Sequence, residues 1–544
     1  MRRGRYRLLF AALIGVVFCA GAAFGGDTNW IAAAGDWSDA NNWTAGEPNA
    51  NTGARIANGG TVTISSLGEG CSTLFAGYAA GQSGAVNLVS GSLTTGRPSS
   101  AGNLYVGYIG PGSFVHSDGN NDVFGALYVG YWGGGSGSYQ LSGAGRLSAR
   151  SEVIGNLESA SGTGGVPGLF TQTGGENLVW DLQWGTNYGG LSIGGDASSA
   201  GKYRLSGEGR LTAYAELVGC GVGEFVQTDG NNTASDSLCI GWRAGSSGIY
   251  RLSGNGRLVV GWEIVGFSGG IGQFYQSGGN HTVGSLYLSA GTLYEMTGGS
   301  LQVDGNLENG GNINAGNGTG AISVAGRLLI SGGIMTIGGS LDVNQLTVGA
   351  SSASGSLSIT SASARVDISG LLSIEPKGSL SGVPACTIHM TGSEFRNAST
   401  DANALAGLAN LRMIFEGGDA NEDPFEVGGR DLGADANGFV GNFGLGTLEL
   451  GGQGGAGRVV LVDLFDNQPA SSGTEALYVQ DLIVNTGSEL WLNGIHLYVN
   501  GVLVNPGEGG LYGGGVISAG VPEPGAMCLL LAGSLALLRR RGRR

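Results

Sequence analysis

The chain has 544 residues, 41% of them hydrophobic, with 111 glycines, 11 prolines and a formal net charge of −15. Glycine at this level without a three-residue period excludes collagen, and charged residues at only 12% exclude a disordered acidic tail. Nine of the 26 basic side chains lie at the two ends, so the body is more acidic still, which argues against nucleic acid or an anionic membrane surface as partner.

The first 26 residues read as a secretory signal peptide. Arg2, Arg3, Arg5 and Arg7 precede an apolar run from Leu8 to Ala20, and the small residues Gly21, Ala22 and Ala23 follow. Residues 27–75 hold Trp30, Trp37 and Trp43 near Gly35, Asn42 and Pro48. Such a cluster could stack on sugar rings, but its simpler role is a cap that closes the exposed end of a stacked fold.

Residues 76–292 repeat. Ser138-Tyr139-Gln140-Leu141-Ser142-Gly143-Ala144-Gly145-Arg146-Leu147 returns at Lys202–Leu211 and again at Ile249–Leu258. Each copy is followed by a glutamate six residues after its arginine: Glu152, Glu216 and Glu263. A Phe-x-(His/Gln) block starts at Phe114, Phe170, Phe225 and Phe274, so successive units span 56, 55 and 49 residues. A Leu-x-(Val/Ile/Leu) block starts at Leu104, Leu127, Leu191, Leu238 and Leu286. Short alternating strands bounded by glycine, repeated at this length, predict an all-β fold: a parallel β-helix, or β-solenoid, with two coils per unit. Leu141, Leu205 and Leu252 should point inward, and Arg146, Arg210 and Arg257 should share one outer row. The pairs Asn120-Asn121 and Asn231-Asn232 read as left-handed corners, and 159–168 as a surface insertion in one unit.

Polysaccharide-cleaving β-helices place carboxylates and a base on one face, which makes Glu152, Glu216 and Glu263 with their arginines the candidates. A catalytic site occurs once, whereas these recur in every unit; a ladder of Arg–Glu charge pairs is the expectation. Residues 293–393 tighten into Gly-x-Leu-x-(Val/Ile) rungs at Gly299, Gly339 and Gly370, which resemble the strand repeats of autotransporter passenger domains. Residues 394–520 lose the repeat and read as a C-terminal β region, a continued coil or a cap. A short helix is predicted near Ala402–Leu411, with strands at Leu411–Phe415, Thr447–Leu450, Arg458–Asp463, Ala476–Ile483 and His496–Val499. The acidic run Asp419, Glu422, Asp423, Glu426, Asp431 and Asp435 is the sole candidate for Ca2+, but its spacing is not that of an EF-hand or nonapeptide repeat, and a solvated loop is the plainer reading. No other cofactor is expected. Cys71, Cys220, Cys239 and Cys386 have no CxxC spacing, and the four histidines are scattered, so no zinc cluster is supported.

Residues 521–544 are an address. Val521-Pro522-Glu523-Pro524-Gly525 is followed by an apolar run from Ala526 to Leu538 and then by Arg539, Arg540, Arg541, Arg543 and Arg544. The prolines keep the motif extended. The apolar run is short for a ~30 Å hydrocarbon core, and the arginines belong on the cytoplasmic side. The arrangement closely resembles the C-terminal sorting signal of the PEP-CTERM family of exported bacterial proteins. That resemblance implies an exosortase-type partner cutting at or near the motif. It also implies transient residence in the inner membrane through the tail, with Arg539, Arg540 and Arg541 as the stop. Export to the cell surface or extracellular polymeric matrix would follow. The functional expectation is a structural or adhesive surface protein that is not an enzyme; the alternative is a polysaccharide-binding or polysaccharide-cleaving β-helix.

Overall fold

The computed structural model describes residues 26–133, 135–155, 167–180, 190–195, 199–417, 421–468, 473–505 and 510–520. The proposed signal peptide (all but Gly26) and the whole sorting tail, including Val521–Gly525 and Arg539–Arg541, lie outside them, as does most of the 159–168 insertion. Gly168 belongs to the strand Pro167–Gln172 and pairs with Gly137, so it is core lattice, not loop.

The chain is 57% strand and 3% helix and winds as a parallel β-solenoid of about 19 turns. Each turn lays strands on three faces. The first face runs from Ala34–Asp36 through Gly112–His116 and Gly137–Leu141 to Gly378–Gly382. The second carries Glu69–Cys71 and the first halves of Asn120–Val129 and Arg146–Ile154. The third starts at Thr28–Asn29 and continues through Leu104–Val106 and the second halves of those strands. Strands bond in parallel to the turn before and the turn after, which stacks like on like.

Alternation decides what enters the core. On the first face one inward column reads Phe114, Tyr139, Phe170, Tyr203, Phe225, Tyr250, Phe274, Tyr294. Successive rings stack nearly parallel, their centroids 4.5–5.1 Å apart. Each such contact adds on the order of 1 kcal/mol to the burial of the rings. Two residues on, Leu141, Leu205 and Leu252 are buried, alternating with Gln172, Gln227 and Gln276. Arg146, Arg210 and Arg257 share one exposed column with Glu176 and Asn231 between them.

The asparagine corners are a correction. Asn121 and Asn232 are buried strand residues, and neither they nor Asn120 and Asn231 have positive φ. The left-handed step belongs to the preceding glycines, Gly119 (φ 82°) and Gly230 (φ 72°). A Cβ at Gly230 would run into the Gly209 carbonyl of the turn below, so conformation and space both require glycine.

Beyond Tyr294 the inward column becomes aliphatic: Ile313, Met335, Leu357 and Leu380. The non-repeating C-terminal region continues the same coil. Glu394–Asn397, Asp423–Glu426, Arg458–Val462, Glu489–Trp491 and Gly510–Tyr512 extend the third face. The expected helix is a short 3-10 turn, Ala406–Asn410, packed against Gly378–Gly382. At the N-terminal end Trp30, Trp37 and Trp43 are buried edge-to-face, with centroids 5.0 Å apart, and Trp43 donates its indole N–H to the Trp37 carbonyl.

Leu205 is only 1% exposed. Leu205→Asp therefore buries an unpaired carboxylate and should lower the unfolding free energy by several kcal/mol. In hydrogen exchange the adjoining strands Pro167–Gln172 and Val222–Gln227 should lose protection first. An unchanged urea midpoint would contradict this packing.

Candidate functional site

The repeated glutamates face inward. Glu152, Glu216 and Glu263 have no exposed surface, and each lies in a column between leucines: Leu127, Glu152, Leu191, Glu216, Leu238, Glu263, Leu286. The expected Arg–Glu ladder is overturned, because the arginines point outward; Arg146 reaches Glu176 at 3.3 Å instead. The reason is a shift of strand register at the corner between arginine and glutamate, seen where Ala149-Arg150-Ser151 pass the preceding turn and again between Ala213 and Ala215. This shift resets the in–out alternation that a six-residue spacing would preserve.

Inside, each carboxyl joins a chain of polar groups crossing three turns. Asn177 Nδ2 donates to Glu152 Oε2 and to the Tyr203 hydroxyl, both at 3.1 Å. Tyr203 donates to Gln172 Oε1 at 2.7 Å, and Gln172 Nε2 donates to the carbonyls of Gly175 and Arg210. The next unit repeats the pattern with Glu216, Asn232, Tyr250 and Gln227. In the third, His281 replaces asparagine: Nδ1 lies 3.0 Å from the Tyr294 hydroxyl, which donates to Gln276, and Nε2 lies 2.8 Å from Glu263 Oε2. In the first, His116 takes the glutamine's place, receiving Tyr139 at Nδ1 and bonding the Gly119 carbonyl through Nε2.

Burial pushes the Glu152 carboxyl up to about 8 and Glu216 to about 7, against the opposing bond from each asparagine. Glu152 is thus protonated at neutral pH. Glu152 Oε1 and Asn177 Oδ1 are both buried without partners, as are Glu216 Oε1 and Asn232 Oδ1. A carboxyl proton supplies a donor on the one residue and an unpaired acceptor already waits on its neighbour. The ladder is an internal scaffold, buried within the core. Of its amides, Asn232 was read from the sequence as a corner and Asn177 was not singled out, although the Phe-x-(His/Gln) block already placed glutamine within the repeat.

The other ionisable groups are dispersed. Of the acidic run, Asp419 lies outside the described residues. Asp431 holds His496 Nδ1 at 2.7 Å and accepts from Tyr498 at 2.9 Å, while Asp435 caps the 3-10 turn Ala436–Phe439. His389 Nδ1 lies 2.9 Å from Glu416. Glu426 is buried and accepts from the backbone of 464–465; Glu475, not singled out in the sequence, does the same for 467–468. Burial raises both carboxyls to about 7, with Asp463 adding repulsion to each. Among the described residues no three His, Cys, Asp or Glu side chains gather to hold a metal, the four cysteines there are free and buried, and no helix is long and apolar enough to cross a membrane.

Outside, Phe75, Tyr105 and Tyr128 stack in one column beside Tyr78, Tyr108 and Tyr131 in another. Their faces turn toward one another along the stack, and each ring is half-buried. The chain matches no family model, no curated protein and no solved structure.

Stability should depend on pH in a definite sense. Below about 4.5 Glu152 and Glu216 are protonated in both folded and unfolded chains. Above it the unfolded chain releases protons that the core retains, so stability falls until pH reaches 7–8 and then levels. At ~1.4 kcal/mol per unit, Glu152 and Glu216 each contribute a drop of several kcal/mol. Glu216→Gln keeps the shape without the proton, so it should flatten the curve and raise stability at pH 8. Urea unfolding at a series of pH values checks this; a variant curve parallel to the parent's would contradict it.

Proposed function

We propose that this chain is an exported, exosortase-sorted structural or adhesive protein of the cell surface or extracellular matrix, without catalytic activity of its own. The observation that carries the reading is the fate of the repeated carboxylates. The acidic groups recurring in every unit are spent on stacking one turn on the next, inside the core, and present nothing to a substrate. The terminal segments support the location: a signal peptide in front, and behind it the Pro522-Glu523-Pro524 motif, a short apolar run and an arginine cluster. By that reading the exosortase removes the tail and the inner membrane holds the chain only in passage.

A second reading, polysaccharide binding, is favoured by the exposed Trp132, Trp180 and Trp262, since indole faces suit sugar rings. Cleavage of polysaccharide has no such support.

Intact mass of the exported protein tests the sorting. The expected species ends at or near the Pro-Glu-Pro motif, and one still carrying Arg539 to Arg544 sinks the proposal. An array of acidic polysaccharides separates the two readings: binding lost in Trp262→Ala with an unchanged melting curve would favour the second, and turnover of any member would refute the first.

A further inference from the structure

Two buried carboxylates converge on one turn. Glu426 ends the strand Asp423–Glu426, and its Oε1 accepts the N–H groups of Leu464 and Phe465, both at 2.8 Å. Glu475 opens the strand Glu475–Val484, and its Oε1 accepts those of Asn467 at 2.7 Å and Gln468 at 3.1 Å. Both side chains therefore clasp the segment 463–468, one near each end. In both, the second oxygen, Oε2, is buried and has no partner. Between them Asn467 is 1% exposed. Its Nδ2 is fixed by the carbonyls of Asn397 and Ser399, which turns Oδ1 away from them, and Oδ1 too is buried and unpartnered.

Three orphaned oxygens around one turn, two of them carboxylate, call for a partner, because buried acceptors in folded proteins are satisfied by protein, water or an ion. We propose that this turn binds a hard divalent cation, Ca2+, through Glu426 Oε2, Glu475 Oε2 and Asn467 Oδ1. Oxygen-only donors select a hard ion. Ca2+ accepts an irregular set of six to eight oxygens, the remainder from backbone carbonyls or water, whereas Mg2+ demands an octahedron. Asp463 and Asp466 are exposed on the same turn and draw cations to it. The site differs from the acidic run read in the sequence, with which it shares only Glu426.

The test is calorimetric titration of the chelator-treated full chain with CaCl2 and separately with MgCl2. One Ca2+ per chain is expected, with Kd in the range of roughly 10⁻⁵–10⁻³ M, and weaker Mg2+ binding. Glu475→Gln and Asn467→Ala should each weaken Ca2+ at least about tenfold, since each removes one of three side-chain ligands, while Glu308→Gln, exposed on a distant turn, should not. Hydrogen exchange on the unmodified chain serves if the variants fail to fold: Ca2+ should slow exchange at 463–468. No stoichiometric binding at about 10 mM Ca2+, slowing confined to another region, or Mg2+ bound as tightly as Ca2+ would each overturn the proposal.

Discussion

Parallel pairing of each turn with its neighbours is the constraint from which the rest of the molecule follows. A strand bonded in register to the strand above places every side chain over its counterpart, about 4.8 Å away. Whatever occupies a position must therefore tolerate what occupies that position one turn on. Aliphatic residues tolerate themselves, and the turns from Ile313 to Leu380 rely on that. Aromatic rings do so by stacking. Buried polar groups do not, because identical donors or identical acids would face each other without partners.

The long repeat resolves this by alternating in the inward columns that carry aromatic or polar residues. Phe follows Tyr, Leu follows Gln, Leu follows Asn, and Leu follows Glu. Tyr203 and Tyr250 each then have a glutamine acceptor in the turn before and an asparagine donor beside that glutamine, and histidine stands in for one of the two at Tyr139 and Tyr294. Each carboxyl is separated from the next by a leucine. The unit of two turns is therefore set by polar satisfaction, since the apolar part of the core would be content with one.

The fold was legible because its signals are local: glycine at corners, two or three inward residues per strand, and a repeat that announces stacking. Even the strands of the non-repeating region were readable, with Leu411–Phe415 and His496–Val499 found where alternation put them. The role of Glu152, Glu216 and Glu263 was not legible, because it depends on a corner. Six residues separate Arg146 from Glu152, an even number, yet one points out and the other in. Periodicity carries no mark of the register shift at Arg150 that separates them. The clasp on 463–468 was hidden for another reason. Glu426, Asn467 and Glu475 are far apart or unremarkable in sequence, and only the continued coil brings Asp423–Glu426 beside Arg458–Val462.

The alternation also governs how such a chain can change length. Losing a single turn from the region between Phe114 and Tyr294 would set tyrosine on tyrosine or phenylalanine on phenylalanine. It would also bring two carboxyls, or two amides, into adjacent layers. Losing two turns together would preserve the alternation. Gene duplications and deletions in this stretch are thus filtered in steps of one whole unit, while the aliphatic turns beyond it are free to gain or lose one at a time. Along its length the molecule carries two different rules for growth.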